Sequence, residues 1–393
     1  MIREKYNLIQ ELQRKNEELK GNKKLSLVGQ GDFPGGNNVM RAAMNIKHHS
    51  QHLAIDDPEF PFLYDGKENV SGENSSYFME AKKNYEVIAI CKKYDEMLKG
   101  KSYNALYFLH SPDDDSYKLV ERKEIENLTE NFGFEYNNDY IDSLEIGEKI
   151  SKGTVIQKTN SYDATNNTGI GVNGRILYAV HPAVQDDAIV ISESFAKRLV
   201  TNNVIKVSIP INEDTILLNL YGKDGKYQGL PNIGDHVTNG IIAATRTIKE
   251  SKMFSDMRDA SLTNINFQAD HPFYGNGEIV DIDVFCNNKN LKKNAVNEQL
   301  IRYWNDCKWF YTQVYKTCKS IIKSGSQNID REIHRWMRLA MNYLDQDELW
   351  AFNDDIVSNL LVELTIRTKE PIKVGRKIVG RHGTTISVHV KIG

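Results

Sequence analysis

The sequence predicts an α+β, β-rich chain, and two observations predict it. Short β-branched and aromatic runs separated by glycine-containing turns recur from about residue 84 to 288, the pattern of strands. From about 289 to 363 the pattern changes to long helical periodicity that carries all four tryptophans, Trp304, Trp309, Trp336 and Trp350. A chain of 393 residues is long enough for two or three packed domains, so a buried core is expected.

Composition narrows the function classes. With 40% hydrophobic and 26% charged residues the chain is neither a disordered segment nor a disulfide scaffold. The net charge of −3 speaks against a free-standing protein that grips nucleic acid by phosphate neutralisation alone, so any such contact is local or shared with partners. Cys91, Cys286, Cys307 and Cys318 are scattered, with no CxxC pair and no histidine at zinc spacing; buried or free thiols in a reducing compartment are expected. No apolar run approaches the roughly 20 residues that cross a bilayer, and the charged start MIREKYN is no signal peptide, so no membrane partner is expected and the expected location is cytoplasmic.

Taken in order, residues 5–20 place Tyr6, Ile9, Leu12 and Leu19 at helical spacing among charges, an amphipathic helix. GQGDFPGGNN at 29–38 is loop-forming, and MRAAMNIKHHSQHLAI at 40–55 mixes small, basic and histidine residues as a surface held near a ligand does. His48, His49 and His52 lack an accompanying carboxylate or cysteine at ligand spacing, which argues against a metal site. NYEVIAICKKY and NALYFLHS read as two strands, and SPDDDSY at 111–117 as a solvated turn rather than a cation site. EIGEKISKGTVI, GVNGRILYAV and DDAIVIS read as strands, with SESFAKRLV a helix after them; VIKVSIPI, DTILLNLYG, GDHVTNGIIAATRT and GEIVDIDVF continue the β pattern. The segments NEQLIRYWNDCKWFYTQVYKTCKSIIKS and REIHRWMRLAMNYLDQDELWAFNDDIVSNLLVELTI read as helical, packed through their aromatics.

Two segments then stand out, DDAIVISE at 186–193 and KVGRKIVGRHG at 373–383. They resemble two signature motifs of the β, or second-largest, subunit of multisubunit DNA-dependent RNA polymerases: an acidic pair before an apolar strand, and a glycine-framed lysine before Gly-Arg-His-Gly. GNNVMRAAMNIKHHSQ at 36–51 is similar to that family's segment beside the incoming nucleotide, with Arg41, Met44 and Gln51 at matching offsets. SLEIGEKISKGTVI resembles the strand pair before the acidic motif, and NIGDHVTNGIIAATRTI with GNGEIVDIDVF the strands of the flap. The resemblance spans about 40 to 390 in five collinear blocks.

What the resemblance implies is part of a double-psi β-barrel with an inserted β-rich flap and a helical insertion. The implied divisions are 1–60, a nucleotide-facing segment; 61–200, a barrel portion with the acidic motif; 201–288, the flap; 289–365, the helical insertion; and 366–393, a return to the barrel. Asp186 and Asp187 would support a second, nucleotide-delivered Mg²⁺ through water, as suits a hard cation that keeps its hydration; out of context the pair would cap a strand turn. Lys377, between Gly375 and Gly380, would reach an RNA phosphate, with Arg381 and His382 at the same rim. Arg41 would clamp the triphosphate through its planar guanidinium, and Gln51 would hydrogen-bond the RNA. Partners implied are a β′-like subunit holding the primary Mg²⁺, further β-like fragments, DNA template, RNA, nucleoside triphosphates and an initiation factor on the flap.

The sequence departs from the family in two ways. Where cellular relatives carry a second lysine shortly after Gly-Arg-His-Gly, the matching places here are Thr384 and Thr385, and no NADFDGD pattern occurs, so the chain is expected to be inactive alone. The end at ISVHVKIG, soon after the second motif, reads as a truncated barrel, with its missing strands on another polypeptide or the frame interrupted there. Such division is similar to the split polymerases of giant bacteriophages, a resemblance that implies host cytosol, a phage compartment or a virion as the location. The competing readings are a non-catalytic nucleic-acid-binding protein with a polymerase-derived barrel, and an unrelated β scaffold.

Overall fold

The computed structural model describes residues 55–59, 78–94, 104–129, 132–162, 166, 169, 172–175, 182, 189–212, 215–223, 226–247, 271–286, 298–344, 360–375 and 386–390. The first strands are β1 (Phe78–Glu80), β2 (Tyr85–Lys92), β3 (Ala105–Ser111), β4 (Ser116–Arg122), β5 (Ile125–Thr129) and β6 (Phe132–Asn137). A short helix α1 (Asp139–Ser143) leads to β7 (Lys149–Ile150), β8 (Val155–Thr159), β9 (Ile189–Ser192) and helix α2 (Glu193–Arg198). Then come β10 (Val200–Ile211), β11 (Thr215–Leu217), β12 (Tyr221–Lys223), β13 (Lys226–Gln228), β14 (His236–Thr247) and β15 (His271–Cys286). The chain continues through α3 (Glu298–Lys323), β16 (Asn328–Ile329), α4 (Arg331–Leu344), β17 (Leu360–Pro371) and β18 (Ile386–Val390).

The β-rich expectation holds, in four sheets among the described residues. A nine-stranded sheet runs β1-β8-β6-β10-β17-β15-β14-β11 with β5 beside β6, and a five-stranded sheet runs β16-β4-β3-β2-β7. Two-stranded ladders join β12 to β13 and β18 to β9. Among the described residues no sheet closes into a barrel.

The five-stranded sheet explains why ALYFLHS is almost continuously apolar: β3 is covered on both faces, and a strand so covered has no reason to alternate. Tyr107 and Leu109 pack with Val87, Val120 and Ile141 on one side. Leu106 and Phe108 pack with Phe310, Val314 and Cys318 of α3 on the other. Helix α3 buries Leu300, Tyr303, Cys307, Phe310, Tyr311, Val314, Cys318 and Ile321, a three-to-four spacing that makes one stripe. Tyr311 stacks on Tyr343 of α4 at 4.1 Å between centroids, and Trp336 meets Phe310 edge-on at 6.3 Å. Such pairs add about 0.5–1.5 kcal/mol each beyond the area they bury. Trp304 packs against the core of the large sheet, whereas Trp309 is 54% exposed.

The SPDDDSY segment is the turn between β3 and β4. Asp114 accepts from Ser116 Oγ at 2.7 Å and pairs with Lys83, and Asp115, at φ +49°, pairs with His110. Each of these two carboxylates is engaged by neighbouring side chains, which accounts for the acidic cluster without a cation.

The long strands of the nine-stranded sheet are β14, β15, β17 and β10. β10 and β17 pair antiparallel from Val200↔Pro371 to Ile211↔Leu360. One expectation fails here: LLVELTI, read as the end of a helix, is the first half of β17. Leu360, Val362, Leu364 and Ile366 face the core with Ile282 and Val284 of β15. A short apolar run satisfies both periods, and its Val, Thr and Ile favour the extended form once partners exist on both sides.

β14 pairs with β15 as far as Glu278, the backbone of Gly234 and Asp235 bonds Ile279, and beyond it the edge of β15 is met by side chains. Tyr94 donates its hydroxyl to the Ile282 carbonyl at 2.6 Å, Cys307 of α3 its thiol at 3.8 Å, and Tyr343 of α4 its hydroxyl to Val284. An open edge is thereby covered by helices, which removes a template for strand addition. The four cysteines are reduced and buried, as expected, and burial pushes the Cys91 thiol up to about 11 and those of Cys307 and Cys318 to about 12.

Candidate functional site

The segments that border the sequence motifs meet at one small junction. Strand β9 is the IVIS of DDAIVISE, and it ends where Ser192, in extended conformation, caps α2 by accepting from the Phe195 N–H at 3.1 Å. Glu193 in the first turn of α2 and Lys197 and Arg198 in the last match the helix dipole. Strand β18 runs parallel to β9, with Ile386 opposite Ile189, Val388 opposite Val190, His389 opposite Ile191 and Val390 opposite Ser192. Parallel strands enter a ladder from the same end. Asp187 precedes Ile189 by two residues, and Gly383 precedes Ile386 by three.

A compact apolar cluster lies beside this ladder: Ile55, Ile191, Ala196, Leu199 and Ile372, with Val172, Ile189 and Phe195 against them. Its backbone is tied across segments. The Asp56 N–H donates to the Val200 carbonyl at 2.8 Å, and the Ile372 N–H to the Leu199 carbonyl at 3.0 Å. Ile55 follows Gln51 by four residues, and Ile372 precedes Lys377 by five. Described residues within or close to the segments 36–51, 186–193 and 373–383 therefore share one core.

Around that core is a half-exposed polar ring. Glu59 accepts from the Asn173 N–H at 2.8 Å and from its side-chain amide at 3.1 Å, and pairs with Arg198. The Asn173 N–H above all, with that amide and Arg198, holds the Glu59 carboxyl below its ordinary value. Asp56 accepts from Asn202 at 3.1 Å and from Lys369 at 3.0 Å, and Lys369 also donates to Glu135 at 2.7 Å. Gly169 threads this ring with no room to spare, since a Cβ there would lie 2.7 Å from the Glu59 carbonyl oxygen. Gly375, at φ +85°, sits in the left-handed region that favours glycine, where the chain leaves the junction toward Lys377.

Arg41, Gln51, Asp186, Asp187, Lys377, Arg381 and His382 lie outside the described residues, as do Met44 and the histidines at 48, 49 and 52. The amphipathic segment 5–20 and Trp350 do too. Among the described residues no group of three or more His, Cys, Asp or Glu side chains could hold a metal ion. The junction's own contribution is apolar packing and backbone ties that hold the flanks of the motifs.

A second constellation is one that sequence reasoning missed. Lys93, just past β2, donates to both Asp281 oxygens at 2.9 and 3.0 Å and to Asp283, all three side chains being buried. The single Tyr94 hydroxyl proton is shared between the Ile282 carbonyl and Asp281, the latter at 2.8 Å, and Asn104 donates to the other Asp281 oxygen. Burial pulls the Lys93 ammonium down, but the two carboxylates more than reverse this and hold it well above its ordinary value. Burial pushes the Asp283 carboxyl up to about 6 against the pull of Lys93. The network ties the five-stranded sheet to the nine-stranded one. Its signal in the sequence was VDIDV, where alternate aspartates mimic a solvent face.

No protein-family model matches this sequence, and no curated protein does. Among the described residues no helix is long and apolar enough to cross a membrane.

Proposed function

We propose that the chain is a β-like fragment of a multisubunit DNA-dependent RNA polymerase, which positions nucleotide and RNA 3′ end for template-directed nucleotidyl transfer. The observation that supports this reading is the parallel pairing of β9 with β18, strands that follow the acidic pair and the Gly-Arg-His-Gly loop. An accidental match of two motifs gives no reason for the strands after them to pair in register, or for Ile55 and Ile372 to share their core. The double-psi barrel, flap and helical insertion belong to the same reading.

In this function each motif residue has a task set by its chemistry. Lys377 neutralises a phosphate oxygen of the RNA through a charge-assisted hydrogen bond, worth roughly 1.5–3 kcal/mol. Arg41 grips the triphosphate in a bidentate manner, Gln51 hydrogen-bonds the RNA, Arg381 adds positive charge at the rim and His382 braces the loop. Adjacent carboxylates at 186 and 187 are hard oxygen donors of the kind that hold hydrated Mg²⁺, and the bound cation would supply charge neutralisation at the leaving pyrophosphate. The primary Mg²⁺ site would lie on the β′-like partner.

Co-expression with β′-like and remaining β-like polypeptides, followed by template-dependent nucleotide incorporation by the purified complex, tests the proposal. Asp187→Ala and Lys377→Ala are each expected to cut incorporation by 10²-fold or more while assembly is preserved. A complex that transcribes equally well with both substitutions would leave the ladder a structural element. A chain that joins no complex would favour the non-catalytic reading.

A further inference from the structure

We infer that the outer face of α3 is a binding surface for single-stranded nucleic acid, a role that stands on observations independent of the polymerase reading. Residues 298–344 carry eight lysines and arginines against four carboxylates, a net +4 within a chain of net −3. The positive charge is gathered on the helices, and on α3 it is gathered on one side. Arg302, Lys308, Lys316, Lys319 and Lys323 are exposed, and their spacing puts them opposite the buried stripe of Cys307, Val314, Cys318 and Ile321. At 1.5 Å per residue the stripe from Arg302 to Lys323 is about 30 Å long. Among the described residues no carboxylate forms an ion pair with Lys308, Lys316, Lys319 or Lys323, so their charge faces solvent.

Aromatic rings are interleaved with these cations. Trp309 is 54% exposed, an uncommon position for so large an apolar surface. Lys308 lies 4.9 Å from the Trp304 ring centre, and Lys319 lies 5.0 Å from that of Tyr315. Tyr315 is also held by a hydrogen bond from Lys319 to its hydroxyl at 3.2 Å. A row of cations for phosphates beside flat rings for unpaired bases is the arrangement that binds single strands without reading their sequence. Duplex DNA would use the cations and leave Trp309 idle, and an acidic peptide would not need the rings.

The test uses the full chain, fluorescein-labelled 20-nucleotide oligo-dT and oligo-U, and anisotropy over a salt series. Binding is expected to weaken with salt at a logarithmic slope of about −3, the value for about four neutralised phosphates on a single strand. The double substitution Lys316→Glu/Lys319→Glu is expected to lower affinity at least tenfold and flatten the slope. Trp309→Ala is expected to lower it about tenfold with the slope unchanged. Lys149→Glu/Lys152→Glu, exposed charges beside the five-stranded sheet, should change it less than twofold. The inference is overturned if the chain binds neither oligonucleotide in 50 mM salt, if the α3 variants bind as tightly as the parent, if a duplex binds equally with no dependence on Trp309, or if poly-glutamate competes at matched charge. Because the free chain is assayed, its outcome is separate from that of the incorporation assay.

Discussion

The buried network at Lys93 and the polar ring at the Ile372 junction use similar groups to opposite ends. At Lys93 one ammonium is shared by two carboxylates inside a buried interface between sheets, and Asp281 accepts from Lys93, Tyr94 and Asn104. At the junction, Asp56, Glu59, Arg198 and Lys369 pair at the rim of a small apolar cluster, open to water. Charge in the interior is held by geometry that cannot change cheaply, because each unpaired member would bear its full desolvation cost. Charge at the rim can be re-paired by solvent, so the junction derives its strength from Ile55, Ile191, Leu199 and Ile372. The first region is a rivet between sheets; the second is a platform whose outward connections carry the sequence motifs.

The contrast is broken most severely by Lys93→Met. Removing the cation leaves Asp281 and Asp283 buried together, and a loss of about 3–5 kcal/mol is expected in urea unfolding. Next is Ile372→Ala, which removes a side chain from the junction core. A loss of about 2–3 kcal/mol is expected, with faster hydrogen exchange at the Ile372 amide, whose partner is the Leu199 carbonyl. If the exchange of that amide is unchanged, the junction is not held by its apolar cluster.

Asp283 sharpens the comparison through pH. Its carboxyl in the folded chain is raised to about 6 from an ordinary 3.8, so between these values the folded state holds the proton that the unfolded state has released. This contribution to stability is present below about pH 4 and is lost as pH rises through 6, on the order of 3 kcal/mol in all. Asp283→Asn is therefore expected to be costliest relative to the parent at pH 4, with the difference shifting in its favour by pH 7. Unfolding midpoints for both proteins across that range measure it; parallel curves would remove Asp283 from the account. The smallest effect is expected from Lys369→Ala at the rim, within about 1 kcal/mol despite two ion pairs, and diminished further in 1 M salt.

Much of the architecture could be read in advance, where local pattern and final environment agree. NYEVIAICKKY and NALYFLHS became β2 and β3, runs rich in β-branched and aromatic residues bounded by polar ones, and the α3 stripe followed its three-to-four spacing because that helix buries the face its period marks. LLVELTI misled because so short a run fits the helical period as well as the two-residue alternation by which Leu360, Val362, Leu364 and Ile366 enter the core. The buried role of Asp281 and Asp283 could not be read locally: they alternate as solvent-facing residues do, and Lys93, some 190 residues away along the chain, makes their burial possible. Of the candidate site, the composition of the motifs was legible but the pairing of β9 with β18 was not, since no local signal states which distant strand a strand will choose. The residues on which the chemical roles were placed lie outside the described parts of the chain, and their flanks are what the fold reveals.

That β9 and β18 pair at all has a consequence for biosynthesis. Loop closure between strands separated by roughly 190 residues is slow and entropically unfavourable, and contacts of that range form late. During translation β9 is complete and exposed long before its partner leaves the ribosome, so IVIS spends that interval as an unpaired edge beside α2. A ribosome stalled before residue 386 would thus release a chain whose sheets can form but whose ladder cannot, and chaperone demand should be greatest for such arrested products.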